Sequence, residues 1–324
     1  MSFQVFVVLI AALIVAGCAV VSGARLVGVS RSPLPQLAAL APWTIFGWAA
    51  ALVLLAAARS WWFAAVVLIL LIVQVSWVWP TRAARAAAEP RAEAVVVRVM
   101  TVNAFVGAAD ADQMIRIARA DQVDLLVVEE VLPDLAAGLS AGLGDELPHL
   151  VRSDPETASG TMIWSRWPIH PIEPSLGAGR QIARAVLHVP GAVPLTVTGV
   201  HTMSPGHGRI AGWAGDLDVL VRASARTTGA HLLLGDFNAT RDHQPFRRLL
   251  ATGLVDAAET MRTPPWRGVT WPANKRWLPA AVRLDHVLVT PSSVGVRAVR
   301  VVPIAGSDHR GIRADLELTP KPVE

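Results

Sequence analysis

The sequence predicts an α/β protein, a two-sheet sandwich with helices outside, preceded by three apolar helices. Three observations carry this. The first 98 of 324 residues hold seven arginines, no lysine and two acids, and contain three uncharged apolar runs. Beyond them, β-patterned and amphipathic segments mix irregularly, with several strands adjacent in sequence, which favours a sandwich over a doubly wound sheet. Many of these strands end in an acid, an amide or an imidazole.

The apolar runs lie at about 5–24, 37–58 and 61–79. Each is long enough to cross a hydrocarbon core of roughly 30 Å. Trp43, Trp61, Trp62, Trp77 and Trp79 lie near their ends, where indole rings favour the bilayer interface. A soluble hairpin would need a very large core to cover three such runs. A membrane domain of three transmembrane helices over 1–80 is therefore expected, with a multi-pass location in the cell membrane and the bilayer as one partner. The loop charges favour a cytoplasmic C-terminal part: Arg25, Arg31, Arg82, Arg85 and Arg91 share its side, against Arg59 on the other. The single cysteine, Cys18, excludes an intramolecular disulfide. It ends Val15-Ala16-Gly17-Cys18, which looks like a lipoprotein cleavage site, but no basic residue precedes the apolar run and lipidation is not expected.

Of the 29 basic and 25 acidic residues, seven and two fall in the first 98 positions, so the remainder carries a formal charge of −1. The high isoelectric point reflects the arginine-rich membrane and linker part. A near-neutral domain lacks the strong basic excess of a nonspecific duplex binder.

Residues 81–94, rich in Ala, Arg and Glu, read as a solvated, partly helical linker. The following domain spans 95–319, with a short tail at 320–324. Strands are expected at 95–102, 124–128, 160–165, 182–188, 195–201, 231–235, 283–290, 296–303 and 311–318. Asp110 caps a helix to about Ala120, Pro133 opens another, and further helices are expected near 208–226 and 244–251.

The most informative stretch is Leu232-Leu233-Leu234-Gly235-Asp236-Phe237-Asn238, in which a buried strand delivers a carboxylate and a carboxamide two positions apart. Alone, such a pair is as readily a turn. Its weight comes from repetition: Asn103, Glu130, His201, Asp285 and Asp308 with His309 also end strands. Gathered at one edge, they would supply metal ligands, a base and phosphate donors together. His286 reads as a packing residue, and His207 and His243 as solvated loop residues.

These blocks resemble the endonuclease/exonuclease/phosphatase family, the DNase I-like metal-dependent phosphoesterases. They occur in order as Met100-Thr101-Val102-Asn103, Val128-Glu129-Glu130-Val131, Gly160 to Ile169, Gly199-Val200-His201, Gly235-Asp236-Phe237-Asn238, Arg283 to Leu288 and Gly306-Ser307-Asp308-His309. The resemblance implies a four-layer α/β/β/α sandwich. It also implies a Mg²⁺ (or Mn²⁺) cofactor held principally by Glu130, with Asn103 and Asp308 close by. Asp236 would activate water, and Asn238 would hold that water or a phosphate oxygen. His309, oriented by Asp285, would bind the phosphoryl oxygen, with His201 as a second donor. The three spans are similar to those of the membrane-bound bacterial branch that includes teicoplanin-resistance-type proteins, whose catalytic domain is taken to face outward, against the loop charges. Two features depart from the family. Glu129 stands where many members have Gln, which implies added negative charge beside Glu130, and the chain has no Tyr, so the phosphate-contacting tyrosine of the abasic-site nuclease branch is missing.

The expected function is metal-assisted phosphoester hydrolysis, with a phosphorylated lipid or lipid-linked substrate favoured by the tether. Nucleic acid is the alternative partner, in a membrane-tethered or extracytoplasmic nuclease. A catalytically silent scaffold would have lost site residues, and all seven blocks are intact. Trp266, Trp271 and Trp277, with Arg267, Lys275 and Arg276 between, read either as loop packing or as an interfacial, substrate-gripping loop.

Overall fold

The computed structural model describes residues 2–28, 31–89, 91, 93–154, 160–172, 181–206, 208–261, 264, 266–275 and 277–322. His207 and Arg276 lie outside them. The chain opens with α1 (Phe3–Val27), α2 (Leu34–Ala39), a 3₁₀ turn at Ala41–Trp43, α3 (Thr44–Ala57), α4 (Trp61–Val78) and α5 (Arg82–Ala87). α1 and α4 are long and apolar enough to cross a membrane. The run expected at 37–58 is instead broken at Leu40–Trp43, ahead of a 14-residue α3 that rises only about 21 Å. The count of three full spans is thus not reproduced.

α1, α3 and α4 pack around Ala11, Cys18, Trp48, Ala51, Leu55, Ala64 and Val67. Small residues let the backbones approach: a Cβ on Gly47 would lie 2.4 Å from Cys18 Sγ. A buried polar chain ties all three helices at one end, where Ser22 Oγ donates to Gln74 Oε1 (3.1 Å) and Gln74 Nε2 donates to Ala41 O (2.7 Å). The outer faces carry Phe6, Leu9, Leu13, Val53, Trp62, Phe63, Ile69 and Ile72, all exposed.

The remaining elements are β1 (Val95–Asn103), α6 (Ala111–Ala120), β2 (Leu125–Val131), α7 (Pro133–Leu143), β3 (His149–Arg152), β4 (Gly160–Ser165), β5 (Ile169–Pro171), β6 (Gln181–Leu187), β7 (Leu195–His201), α8 (Ile210–Arg226), β8 (Ala230–Asp236), α9 (Gln244–Leu250), β9 (Val255–Asp256), α10 (Ala257–Thr260), β10 (Asp285–Val289), β11 (Val294–Pro303) and β12 (Arg310–Leu318). They form two six-stranded sheets, ordered β11-β12-β1-β2-β4-β3 and β5-β6-β7-β8-β10-β9. β1 pairs with β2, and β7 with β8, in parallel.

Alternation along the strands makes the layers. Val97, Val99, Leu125 and Val127 face Ala185, Val197, Leu232 and Leu234 between the sheets. The intervening residues Met100, Val102, Leu126 and Val128 pack under α6 and α7 through Met114 and Leu139. Val200, Leu233 and Leu288 likewise pack under α8 and α9 through Trp213, Leu217 and Phe246. The expected four-layer sandwich is observed. The sequence reading passed over β3, β5 and β9, short edge strands of two to four residues with too little pattern to register.

The solvated linker expected at 81–94 is in part a docked helix. Thr81 caps α5 by accepting from Ala84 N (3.1 Å), and Ala84 and Ala87 are fully buried in the core. His243, read as solvated, is also buried: its Nε2 lies 2.8 Å from Pro35 O and its Nδ1 accepts from Thr240 N at 2.7 Å. The error has one cause. The apolar bundle sits against the loops after β7 and β8, and no residue-by-residue pattern announces that contact. Arg25 Nε donates to Asp242 Oδ1 (2.6 Å), Gln36 Nε2 to Pro205 O (2.9 Å) and Trp43 Nε1 to Ala281 O (2.8 Å).

The Arg25–Asp242 pair is nearly inaccessible. Burial pushes the Asp242 carboxyl up, against the pull of Arg25. Removing one partner strands a buried charge, so Arg25→Ala is expected to cost about 3 kcal/mol, while Arg25→Met with Asp242→Leu recovers most of it. Thermal unfolding in detergent of the two singles and the double checks this. Additive losses would show that the pair does not couple the bundle to the domain.

Candidate active site

Strand register does most of the positioning. His201 on β7 and Asp285 on β10 each lie opposite Asp236 of β8, which runs between them. The other sheet brings Asn103 at the end of β1, and Ser307-Asp308-His309 enters just before β12. Asn103 links the sheets: its Nδ2 donates to Asp236 Oδ2 (3.0 Å) and Glu130 Oε1 (3.2 Å).

Glu130 is aimed by a break in β2. The pairing of β2 with β4 shifts between Val128 and Val131, and Glu130 has φ 54°, a left-handed conformation that costs energy outside glycine. Its Oε2 accepts from Val106 N (2.8 Å) and its Oε1 lies 3.3 Å from His201 Nε2. The His201 hydrogen bond, with that imidazole's charge, Asn103 and Val106, outweighs burial and holds the Glu130 carboxyl down at about 2. For His201, burial opposes the charge, but Glu130 and Asp236 outweigh it and raise the imidazole.

Asp236 is buried and fully engaged. Oδ1 accepts from Asn238 N (2.7 Å), and Oδ2 accepts from Asn238 Nδ2 (3.1 Å) as well as Asn103. Asn238, itself at φ 45°, also donates to Thr202 O (2.9 Å). Burial pushes the Asp236 carboxyl up, with His309 pulling it down and Asp285 adding to the rise. His309 Nδ1 lies 2.8 Å from Asp285 Oδ2, its Nε2 3.9 Å from Asp236 Oδ2, and its backbone N donates to Ser307 Oγ. Burial disfavours its imidazolium, but Asp285, Asp236 and Asp308 outweigh that and raise it to about 10.

His309 above its ordinary 6.5 stabilises the fold below that pH, and the contribution fades as pH rises through about 10. Asp285→Asn removes the strongest of the raising partners. The ring titration of His309, followed by NMR in metal-free protein, is expected to move down by at least about one pH unit. An unmoved titration would mean that Asp285 does not set this charge.

The structure brings together seven of the eight residues singled out in the sequence: Asn103, Glu130, His201, Asp236, Asn238, Asp285 and His309. Asp308 is turned to the rim, where its Oδ2 accepts from Trp271 Nε1 (3.2 Å). Oxygen donors dominate, Asp285 Oδ1 is buried without a hydrogen-bond partner among the described residues, and no thiol is near. That donor set fits an oxygen-seeking divalent cation. Asp236, Asp285 and His309 offer ligand atoms within 4.8 Å of one another, a grouping different from the Glu130, Asn103, Asp308 set expected.

Glu129 behaves otherwise than its sequence position implied. It is fully buried, accepts from Thr101 Oγ1 (2.7 Å), and leaves Oε2 without a hydrogen-bond partner among the described residues. Burial pushes its carboxyl well above the usual range, which favours the neutral acid over the added charge expected beside Glu130. His286 packs as expected, though on Asp256 (2.7 Å) and Ala239 O (2.8 Å) and not on Asp285. The tryptophans do not form one cluster: Trp266 meets Phe46 edge-on at 5.2 Å, Trp271 serves Asp308, and Trp277 is exposed. Sequence reasoning missed Thr270, whose Oγ1 accepts from Leu284 N beside Asp285.

The fold and this constellation define a two-sheet phosphoester hydrolase of the DNase I-like class. The chain belongs to the endonuclease/exonuclease/phosphatase family, whose model matches residues 100–309. Among solved structures it is similar to an endonuclease/exonuclease/phosphatase from Beutenbergia cavernae DSM 12333, at 23% identity over 71% of this chain and 73% of that one, with a TM-score of 0.50. It is also similar to D. rerio TDP2 complexed with single strand DNA product, at 15% identity over 68% and 98%, TM-score 0.57. A third is the Bacteroides thetaiotaomicron VPI-5482 mannosyl-6-phosphatase Bt3783, at 16% identity over 68% and 99%, TM-score 0.51. At these identities the likeness is one of fold. No curated protein matches the chain.

Proposed function

We propose that the protein is a membrane-anchored, divalent-metal-dependent phosphoesterase acting on the phosphate of a lipid or lipid-linked substrate. The observation that carries the substrate class is the rim of the cleft. Among the described residues of 95–322, the large apolar side chains left exposed are Phe105, Val106, Leu132, Met203, Trp271, Trp277 and Leu278, with Met261 apart from them. Each of the seven lies on a loop that leaves a site residue or, for 271–278, touches Asp308. An apolar collar around a charged cleft suits a phosphate attached to, or embedded beside, a hydrophobic moiety. The helix bundle supports the same reading, because it meets the domain at this end and its own exterior is apolar.

In this reading Glu130 and Asn103, with Asp308 or the Asp236, Asp285 and His309 group at hand, would hold a Mg²⁺ or Mn²⁺ ion, which would supply electrostatic stabilisation of negative charge on the phosphate. Asp236 accepts a proton from the attacking water, its carboxylate fixed by Asn103 and Asn238. The raised imidazoles of His201 and His309 donate to phosphoryl oxygens. The positively charged loops favour a cytoplasmic catalytic domain, whereas the resemblance to the membrane-bound bacterial branch implies the outer face.

The test is phosphate or head-group release by the solubilised full chain from lipid diphosphates, phospholipids, plasmid DNA and a bis-phosphodiester, with Mg²⁺ against EDTA. Lipid turnover abolished by EDTA is expected. Metal-dependent nicking of DNA without lipid turnover would overturn the substrate class, and silence on all four from folded protein would favour a scaffold.

A further inference from the structure

A cavity of about 770 Å³ lies between the bundle and the catalytic domain, where the ends of α3 and α4 meet the loops after β8 and before β10. None of the residues proposed for catalysis lines it. It is nonetheless close to them in the chain: Thr240 to Asp242 follow Asn238, and His286 projects into it from the face of β10 opposite Asp285.

One side of the wall is apolar, built by Trp43, Ile45, Val75 and Trp77. Three arginines, Arg85, Arg241 and Arg283, stand on the other. Three acids also line it, but each is engaged: Asp242 by Arg25 (2.6 Å), Asp256 by His286 (2.7 Å) and Glu259 by Arg241 (3.2 Å). Among the described residues Arg85 donates to the nearby Pro80 O (2.8 Å) and meets no carboxylate. Arg283 is mostly buried, sits 3.8 Å from Asp256, and has Nη2 without a partner among the described residues. The wall therefore offers cationic donors beside an apolar slot, in a volume suited to a ligand of tens of atoms. Inorganic phosphate would leave the slot unfilled, and a neutral lipid would bring no charge to Arg85, which meets no carboxylate among the described residues, or to Arg283, 3.8 Å from Asp256.

We propose that this cavity is a second, non-catalytic site that binds an anionic phospholipid, its phosphate on Arg241, Arg283 and Arg85 and an acyl chain against Trp43, Val75 and Trp77. The lipid acts as a wedge that seats the loop following Asp236 and Asn238 against the helix ends. This rests on the reading that the helices lie in a bilayer.

The experiment places the full chain in nanodiscs of equal phosphatidylglycerol and phosphatidylcholine and weighs the lipids it retains on release by native mass spectrometry. Retention of phosphatidylglycerol over phosphatidylcholine by about tenfold or more is expected. Arg241→Gln with Arg283→Gln is expected to erase the preference. Val78→Trp, which fills the slot and leaves every ion pair in place, is expected to lower retention of both lipids. Added oleate that displaces the lipid would assign the site to acyl anions generally, and oleate without effect would assign it to the phosphate head. Equal retention of the two lipids, or unchanged retention by Val78→Trp, would overturn the second site alone. Failure of the chain to enter the nanodiscs would overturn the membrane reading on which it rests.

Discussion

Asparagine in place of Asp236 is expected to lower phosphoester hydrolysis by about 10³-fold while changing the stability of the metal-free fold little. The carboxylate accepts three hydrogen bonds, from Asn238 N, Asn238 Nδ2 and Asn103 Nδ2. Those contacts fix its direction, and burial among neighbours that include Asp285 raises its proton affinity, as suits a base. The stability expectation follows from the same shift. An acid whose pKa rises on folding weakens the folded state once pH exceeds its unfolded value, and the neutral amide removes that penalty at pH 7, while its NH2 group, set against a donor where the carboxylate accepted, opposes that gain. Activity assays on the best substrate, with thermal unfolding in EDTA and in Mg²⁺, check both parts. An Asn variant within tenfold of the parent rate would remove Asp236 from the role of base. One that unfolded well below the parent in EDTA would show that the charge is structural.

Gly235→Ala is expected to prevent stable folding, at a cost of about 4 kcal/mol or more. Gly235 has φ 138°, and a Cβ there would lie 2.1 Å from Val200 O and 2.8 Å from Glu129 Oε1. Val200 is its direct partner in the parallel pairing of β7 with β8, so relief requires parting two strands at the centre of a sheet. The space that glycine leaves is the space Glu129 occupies, and Glu129 in turn is held by Thr101 of β1. One added methyl group thus disturbs both sheets just beneath the site. Soluble yield and the thermal midpoint in detergent are the readouts, with a drop of at least about 10 °C expected for any protein recovered. A near-parental midpoint would mean that this close approach does not exist.

Much of the architecture was legible from alternation alone. The central strands β1, β2 and β8 are apolar on both faces because helices cover one side and the second sheet the other, and such strands announce themselves, while β12 alternates Ile312, Ala314, Leu316 and Leu318 inward with Arg313, Asp315 and Glu317 on the other face. The polar residue at the end of each was legible for the same reason, as an interruption of a buried run. The edge strands β3 and β9 carry too few residues for any period to emerge.

By itself, the sequence pointed through local pattern to a two-sheet sandwich, the apolar helices ahead of it and the polar side chains that end its strands, and through its resemblance to a known family to the four layers. Only the tertiary structure decided how those side chains are used. It paired His309 with Asp285, let Asn103 bridge Glu130 and Asp236, turned Asp308 to Trp271, and favoured the neutral acid at Glu129 by burying it. It also decided that the bundle rests on the catalytic loops, with His243 and Asp242 buried between them. The physical reason is range. Pattern reports what each residue does to its neighbours in the chain, whereas charge state and contact depend on groups that folding brings from 24 to 217 positions away.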